Sequence, residues 1–182
     1  MSIHIRLCTP EDAVLKEVSD SPELSTLKRA LQLFVKVLAR DFKVSVPKVE
    51  LYEVIGKDEN LIPLPQYDDK SETIFVPVRE FTEPLKEGWS TNFLLEDWLE
   101  MMLHEFWHHY QYIRSGRDRL KAFGPENDGK VWIERSYEKE AEAFSQIYAE
   151  QYRSIWKQLL KRPLSELRKI VIEGSRNNHV ER

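Results

Sequence analysis

The chain has 182 residues, 41% hydrophobic and 32% charged, with a formal charge of -4; this allows one buried core and excludes the strong basic bias of a nucleic-acid binder. Its single cysteine, Cys8, excludes an internal disulfide and a cysteine-rich structural metal site, as expected of a reducing compartment. The start Met1-Ser2-Ile3-His4-Ile5-Arg6 lacks a signal-peptide pattern, and no stretch approaches the roughly 20 apolar residues of a membrane span, so a cytoplasmic protein without membrane or nucleic-acid partners is expected.

Ile3, Ile5 and Leu7 alternate with polar residues, which predicts a short strand ending by Pro10. Ser21-Pro22-Glu23 then reads as a helix start, with a capping hydroxyl, a proline in the first turn and an acid facing the helix dipole. Leu24, Leu27, Leu31, Phe34, Val35 and Leu38 follow at helical spacing and carry that helix to about Asp41. From Val44 to Val54 aliphatic residues nearly alternate, predicting a strand with Pro47 near its start. Gly56 to Lys70 has loop composition, and Thr73 to Val78 reads as a second strand whose Pro77 argues for an open edge that could receive an extended peptide.

Phe81 to Ser90, with Pro84 and Gly88, reads as a connector. A long helix capped by Thr91 or Asn92 is predicted to run to Gly116, with Leu95, Leu99, Met102, Phe106 and Ile113 as its apolar stripe. Arg117 to Lys130 reads as a polar loop. A penultimate helix from about Val131 or Trp132 to Lys157 or beyond places Tyr137, Ala141, Phe144, Tyr148 and Tyr152 on a core face. Pro163 predicts a break before a short last helix and a polar tail from Gly174. One domain over residues 1–182 is expected, with a core over about 22–173 and a flexible tail over 174–182.

The long helix contains Leu103-His104-Glu105-Phe106-Trp107-His108-His109, a His-Glu-x-x-His pattern. Residues four apart lie on one helix face, about 6 Å apart along the axis, so His104 and His108 can converge on one ion. Glu105 on the neighbouring flank sets a carboxylate beside any water the ion binds. His109 points about 100° away from His108, and His4 and His179 lie in terminal segments. A third ligand is needed. Glu134, Glu138 and Glu142 stack four apart on the penultimate helix, an arrangement of like charges that calls for solvation, cations or a function.

Glu138-Lys139-Glu140-Ala141-Glu142, C-terminal to His-Glu-x-x-His, resembles the glutamate helix of gluzincin metallopeptidases, above all the minigluzincins and the ImmA/IrrE-like proteins. The resemblance implies an α+β, minimal zincin-like fold in which a small twisted sheet packs on an active-site helix and a glutamate helix. It further implies His104, His108 and Glu138 as ligands of one catalytic Zn²⁺ and Glu105 as general base and acid. Glu142 would orient a ligand imidazole, that of His104, and Glu134 is the alternative third ligand one turn earlier. Trp107 within the motif and Glu142 in place of the more usual Asp or Asn depart from the family pattern and bear on cleft shape. Gln111 and Arg114 stand where a metzincin would have glycine and a third histidine. The implied activity is a zinc metalloendopeptidase acting on a peptide or protein substrate. The alternative is a silent or latent scaffold serving as a metal-stapled binding module. Tyr110, Tyr112, Arg114 and Tyr137 are unranked candidates to stabilise an oxyanion.

Overall fold

A computed structural model describes residues 6–7, 14–17, 21–55, 61–62, 64–125 and 135–177. These residues form a mixed α and β structure, mostly helical, with a small sheet. Helix α1 spans Pro22–Phe42, and the Ser21 hydroxyl accepts from the Leu24 N–H at 3.2 Å, the cap that its sequence predicts. Leu27, Leu31, Phe34, Val35 and Leu38 are fully buried along its inner face.

Strands β1 (Arg6–Leu7) and β4 (Leu61–Ile62) pair with each other in parallel. Strands β2 (Val14–Glu17), β3 (Lys48–Ile55), β5 (Gln66–Asp68) and β6 (Thr73–Pro77) form the larger sheet, in the order β2-β3-β6-β5. β3 and β6 run parallel, while β2 and β5 flank them antiparallel. The strand containing Pro77 is therefore internal, contrary to the open edge that its proline predicts. Pairing with β5 reaches only Phe75, however, and the Val78 N–H donates to the Tyr52 carbonyl on the β3 side. By alternation the ring nitrogen of Pro77 faces the β5 side beyond the end of that ladder, where no donor is needed. The edge next to the long helix is β5, inside the stretch that composition marks as loop.

Helix α2 (Arg79–Lys86) replaces the expected connector. Phe81 and Leu85 are fully buried, and Phe81 stacks on Trp98 at 3.7 Å, so burial outweighs the proline at position 84. Helix α3 spans Thr91–Arg114, capped by Ser90 rather than by Thr91 or Asn92, with the hydroxyl accepting from the Phe93 N–H at 3.2 Å. A short helix α4 (Arg119–Phe123), capped by Asp118, interrupts the polar segment read as a loop.

Helix α5 runs unbroken over Ser136–Asn177, through Pro163 and into the segment read as a tail. Leu160, Pro163, Leu164 and Leu167 are buried in succession, so packing on both sides of the proline holds the helix together despite the lost backbone bond. Trp156 fills the junction of α1, α3 and α5: its ring meets Phe34 edge-on at 4.7 Å and its N–H donates to the Leu95 carbonyl at 2.6 Å. Among the described residues no helix is long and apolar enough to cross a membrane. Glu134, His4, His179, Cys8 and most of the predicted N-terminal strand lie outside the described residues.

Candidate metal centre

α3 and α5 pack along each other, and the site lies where the middle of α3 meets the first turn of α5. Leu95, Leu99, Met102 and Phe106 are buried on α3, Ala141 and Phe144 on α5, and the small Ala141 suits the close approach of the two helices. This packing brings together the three residues expected to bind metal. His104 Nε2 lies 3.1 Å from Glu138 Oε2, His108 Nε2 lies 3.1 Å from His104 Nε2, and His108 Nε2 lies 3.2 Å from Glu138 Oε2. Ligand atoms of a tetrahedral zinc with bonds of about 2.0–2.1 Å stand about 3.3–3.4 Å apart, so this triangle fits the ion closely. All three residues are buried, and among the described residues they are the cluster whose ligand atoms could hold a metal ion.

The charge of Glu138 suits the same end. Burial raises the Glu138 carboxyl, but the bonds to His104 and His108 outweigh it and hold the group down to about 2, so it is an anion at neutral pH. The tautomer of His108 is fixed from behind. The Gln111 amide nitrogen donates to the Tyr137 carbonyl at 3.1 Å and to Glu140 at 2.9 Å, which turns its oxygen toward His108 Nδ1, 3.0 Å away. His108 Nδ1 therefore donates, and in the neutral ring Nε2 presents its lone pair to the site. This role of Gln111 is not predicted from sequence; its position one turn beyond His108 is the signal for it.

Glu142 stands near the expected partner. Its Oε2 is 3.8 Å from His104 Nδ1, beyond hydrogen-bond reach, and its side chain is 59% exposed and accepts from Gln146 at 2.7 Å. Trp107 stays clear of the cleft, stacked between Tyr110 and Phe144 with centroids 4.5 and 4.2 Å away, so the bulky residue shapes the core instead.

Glu105 lines a cleft of about 490 Å³ together with His104, His108, Glu138, Glu142 and the segment from Leu64 to Tyr67 that leads into β5. Burial raises its pKa, partly countered by His108 and His104. The Tyr67 backbone N–H donates to Glu105 Oε2 at 2.7 Å. His109 does not join the metal cluster. Its Nε2 donates to the Ser45 carbonyl at 2.8 Å, and its Nδ1 lies 3.1 Å from the Tyr67 hydroxyl. Burial lowers its pKa and that of Tyr67 is raised by burial, so a neutral imidazole accepts from a protonated phenol. Of Tyr110, Tyr112, Arg114 and Tyr137, only Tyr137 lines the cleft. Arg119, from the basic segment after α3, also lines it and pairs with Asp69 at 2.7 Å. Comparison with known protein families, characterised proteins and solved structures finds no match to this chain.

Proposed function

We propose that the protein is a zinc-dependent metallopeptidase with a minimal zincin-like fold. The observation that carries this reading is the triangle of His104, His108 and Glu138, with edges of 3.1 to 3.2 Å, beside the Glu105 carboxylate in the same cleft. These residues would hold a zinc ion, which would supply Lewis acidity toward a peptide carbonyl and lower the pKa of a water toward about 7.

Glu105 takes the proton of the attacking water and returns it to the leaving amine. Its Oε2 is held by the Tyr67 N–H, which leaves the other oxygen for proton transfer. The raised pKa of Glu105 makes it a better base than an exposed carboxylate would be. Tyr137 precedes Glu138 on the cleft wall. Its hydroxyl accepts from Arg135 Nη1 at 2.8 Å, so its own proton is available to an oxyanion. The cleft and the edge strand β5 suit an extended peptide or unfolded protein as substrate, in the cytoplasm.

The test is cleavage of an unfolded protein substrate by the zinc-loaded chain, alongside zinc content by elemental analysis. Glu105→Gln keeps one zinc per chain and lowers cleavage by about 10²–10⁴-fold. A variant that binds zinc and cleaves at the wild-type rate overturns the assignment.

A further inference from the structure

His104 and His108 are one pair of residues four apart on α3, and Glu105 and His109 are a second, displaced by one position. Tyr67 spans the second pair. Its backbone N–H bonds Glu105 at 2.7 Å, and its hydroxyl bonds His109 at 3.1 Å. We propose that Glu105 and His109 form a two-point clamp on Tyr67, in which His109 is the positioning residue that fixes strand β5 and, through the Tyr67 N–H, the carboxylate of Glu105.

β5 needs such an anchor. It has three residues, pairs among the described residues with β6 alone, and forms a wall of the cleft. A short edge strand held from one side is weakly fixed. The ends of this wall are tied elsewhere: the Tyr52 hydroxyl donates to the Leu64 carbonyl at 3.1 Å, and Asp69 pairs with Arg119. Neither tie touches Glu105. Tyr67 opposes Ile74 in the ladder, and its N–H turns to Glu105.

His109 is suited to hold Tyr67 because nothing about it is loose. It is 0% exposed, and its ring meets the Tyr67 ring edge-on at 5.3 Å. The Ser45 carbonyl can only accept, so it fixes Nε2 as the donor and directs the Nδ1 lone pair at the Tyr67 hydroxyl. Ser45 lies between α1 and β3, so the clamp ties the cleft wall to backbone that does not depend on β5.

The catalytic meaning of the clamp rests on the peptidase reading; the clamp itself does not. Amide hydrogen exchange, followed by NMR on the full chain with zinc present, requires no turnover. Tyr67→Phe keeps the ring and removes only the hydroxyl; it speeds exchange of the position-67 amide about tenfold relative to the amides of Ile74 and Phe106. His109→Leu does the same. His109→Gln, which can still accept from Tyr67 and donate to Ser45, stays near the wild-type rate. In cleavage assays Tyr67→Phe lowers kcat by about tenfold with KM changed by less than about twofold. Unchanged relative exchange at position 67 overturns the clamp, as does acceleration of all amides together, which would mark His109 as a core residue only. A freed position-67 amide with unchanged kcat removes its positioning role. If the wild-type chain cleaves nothing while exchange responds as stated, the peptidase reading falls and the clamp stands.

Discussion

The two walls of the cleft are held by different forces. The helical wall carries the three candidate metal ligands, and its stability is that of the core: α3 and α5 bury Leu99, Met102, Phe106, Phe144 and Trp156 against each other and against α1. The strand wall is β5, three residues of backbone pairing with side-chain ties at Tyr52, Tyr67 and Asp69. The first wall cannot shift without exposing apolar surface, whereas the second can loosen while the core stays folded. One wall is thus rigid and the other adjustable, a combination that suits the proposed site, which would hold a metal and admit a peptide.

That contrast can be broken first at the core. Trp156→Ala empties the junction of three helices and leaves the Leu95 carbonyl without its donor, so it destabilises the protein by about 3–5 kcal/mol, read from urea denaturation. A cost under about 1 kcal/mol would mean that the helical wall is not braced there. Next is the metal itself. If Glu138 is the third ligand as proposed, Glu138→Ala weakens zinc binding by more than about 100-fold, beyond what loss of an orienting partner costs. Titration of zinc against a competing chelator measures this, and the rise in Tm that zinc gives the wild type disappears in the variant.

The smallest effect sharpens the comparison within the helical wall. Gln111→Leu frees the His108 ring and weakens zinc binding by about tenfold, while Glu142→Ala, whose carboxylate is 3.8 Å from His104 and largely exposed, changes it by less than about twofold. The same chelator competition ranks the two. An equal loss in both would restore Glu142 to the orienting role that its sequence position suggests.

What could be read from the sequence follows the range of the interactions involved. Ser21-Pro22 predicts the start of α1 because a cap is a contact between residues three apart. The convergence of His104 and His108 is likewise fixed by helix geometry alone. α2 and the continuity of α5 through Pro163 were not legible, because each depends on burial of Phe81 and Leu85, or of Leu160 and Leu164, against distant elements. Edge strand β5 lies among Pro65, Asp68 and Asp69, whose local preference is for turns; its pairing with β6 decides otherwise. The role of His109 depends on Ser45 and Tyr67, both far away in sequence, so nothing near position 109 announces it.

The unbroken α5 has a mechanical consequence. Glu138 lies in its first turn, and buried contacts continue to Leu167, about 43 Å further along the axis at ~1.5 Å per residue. The Glu138 carboxylate thus sits at the tip of a beam clamped along most of its length. A load pulling on the C-terminal end of that beam meets Leu167, Leu164, Leu160 and Trp156 before it can reach Glu138. In a single-molecule pulling experiment the far end yields first, with the Glu138 end the last part of the helix to feel the force.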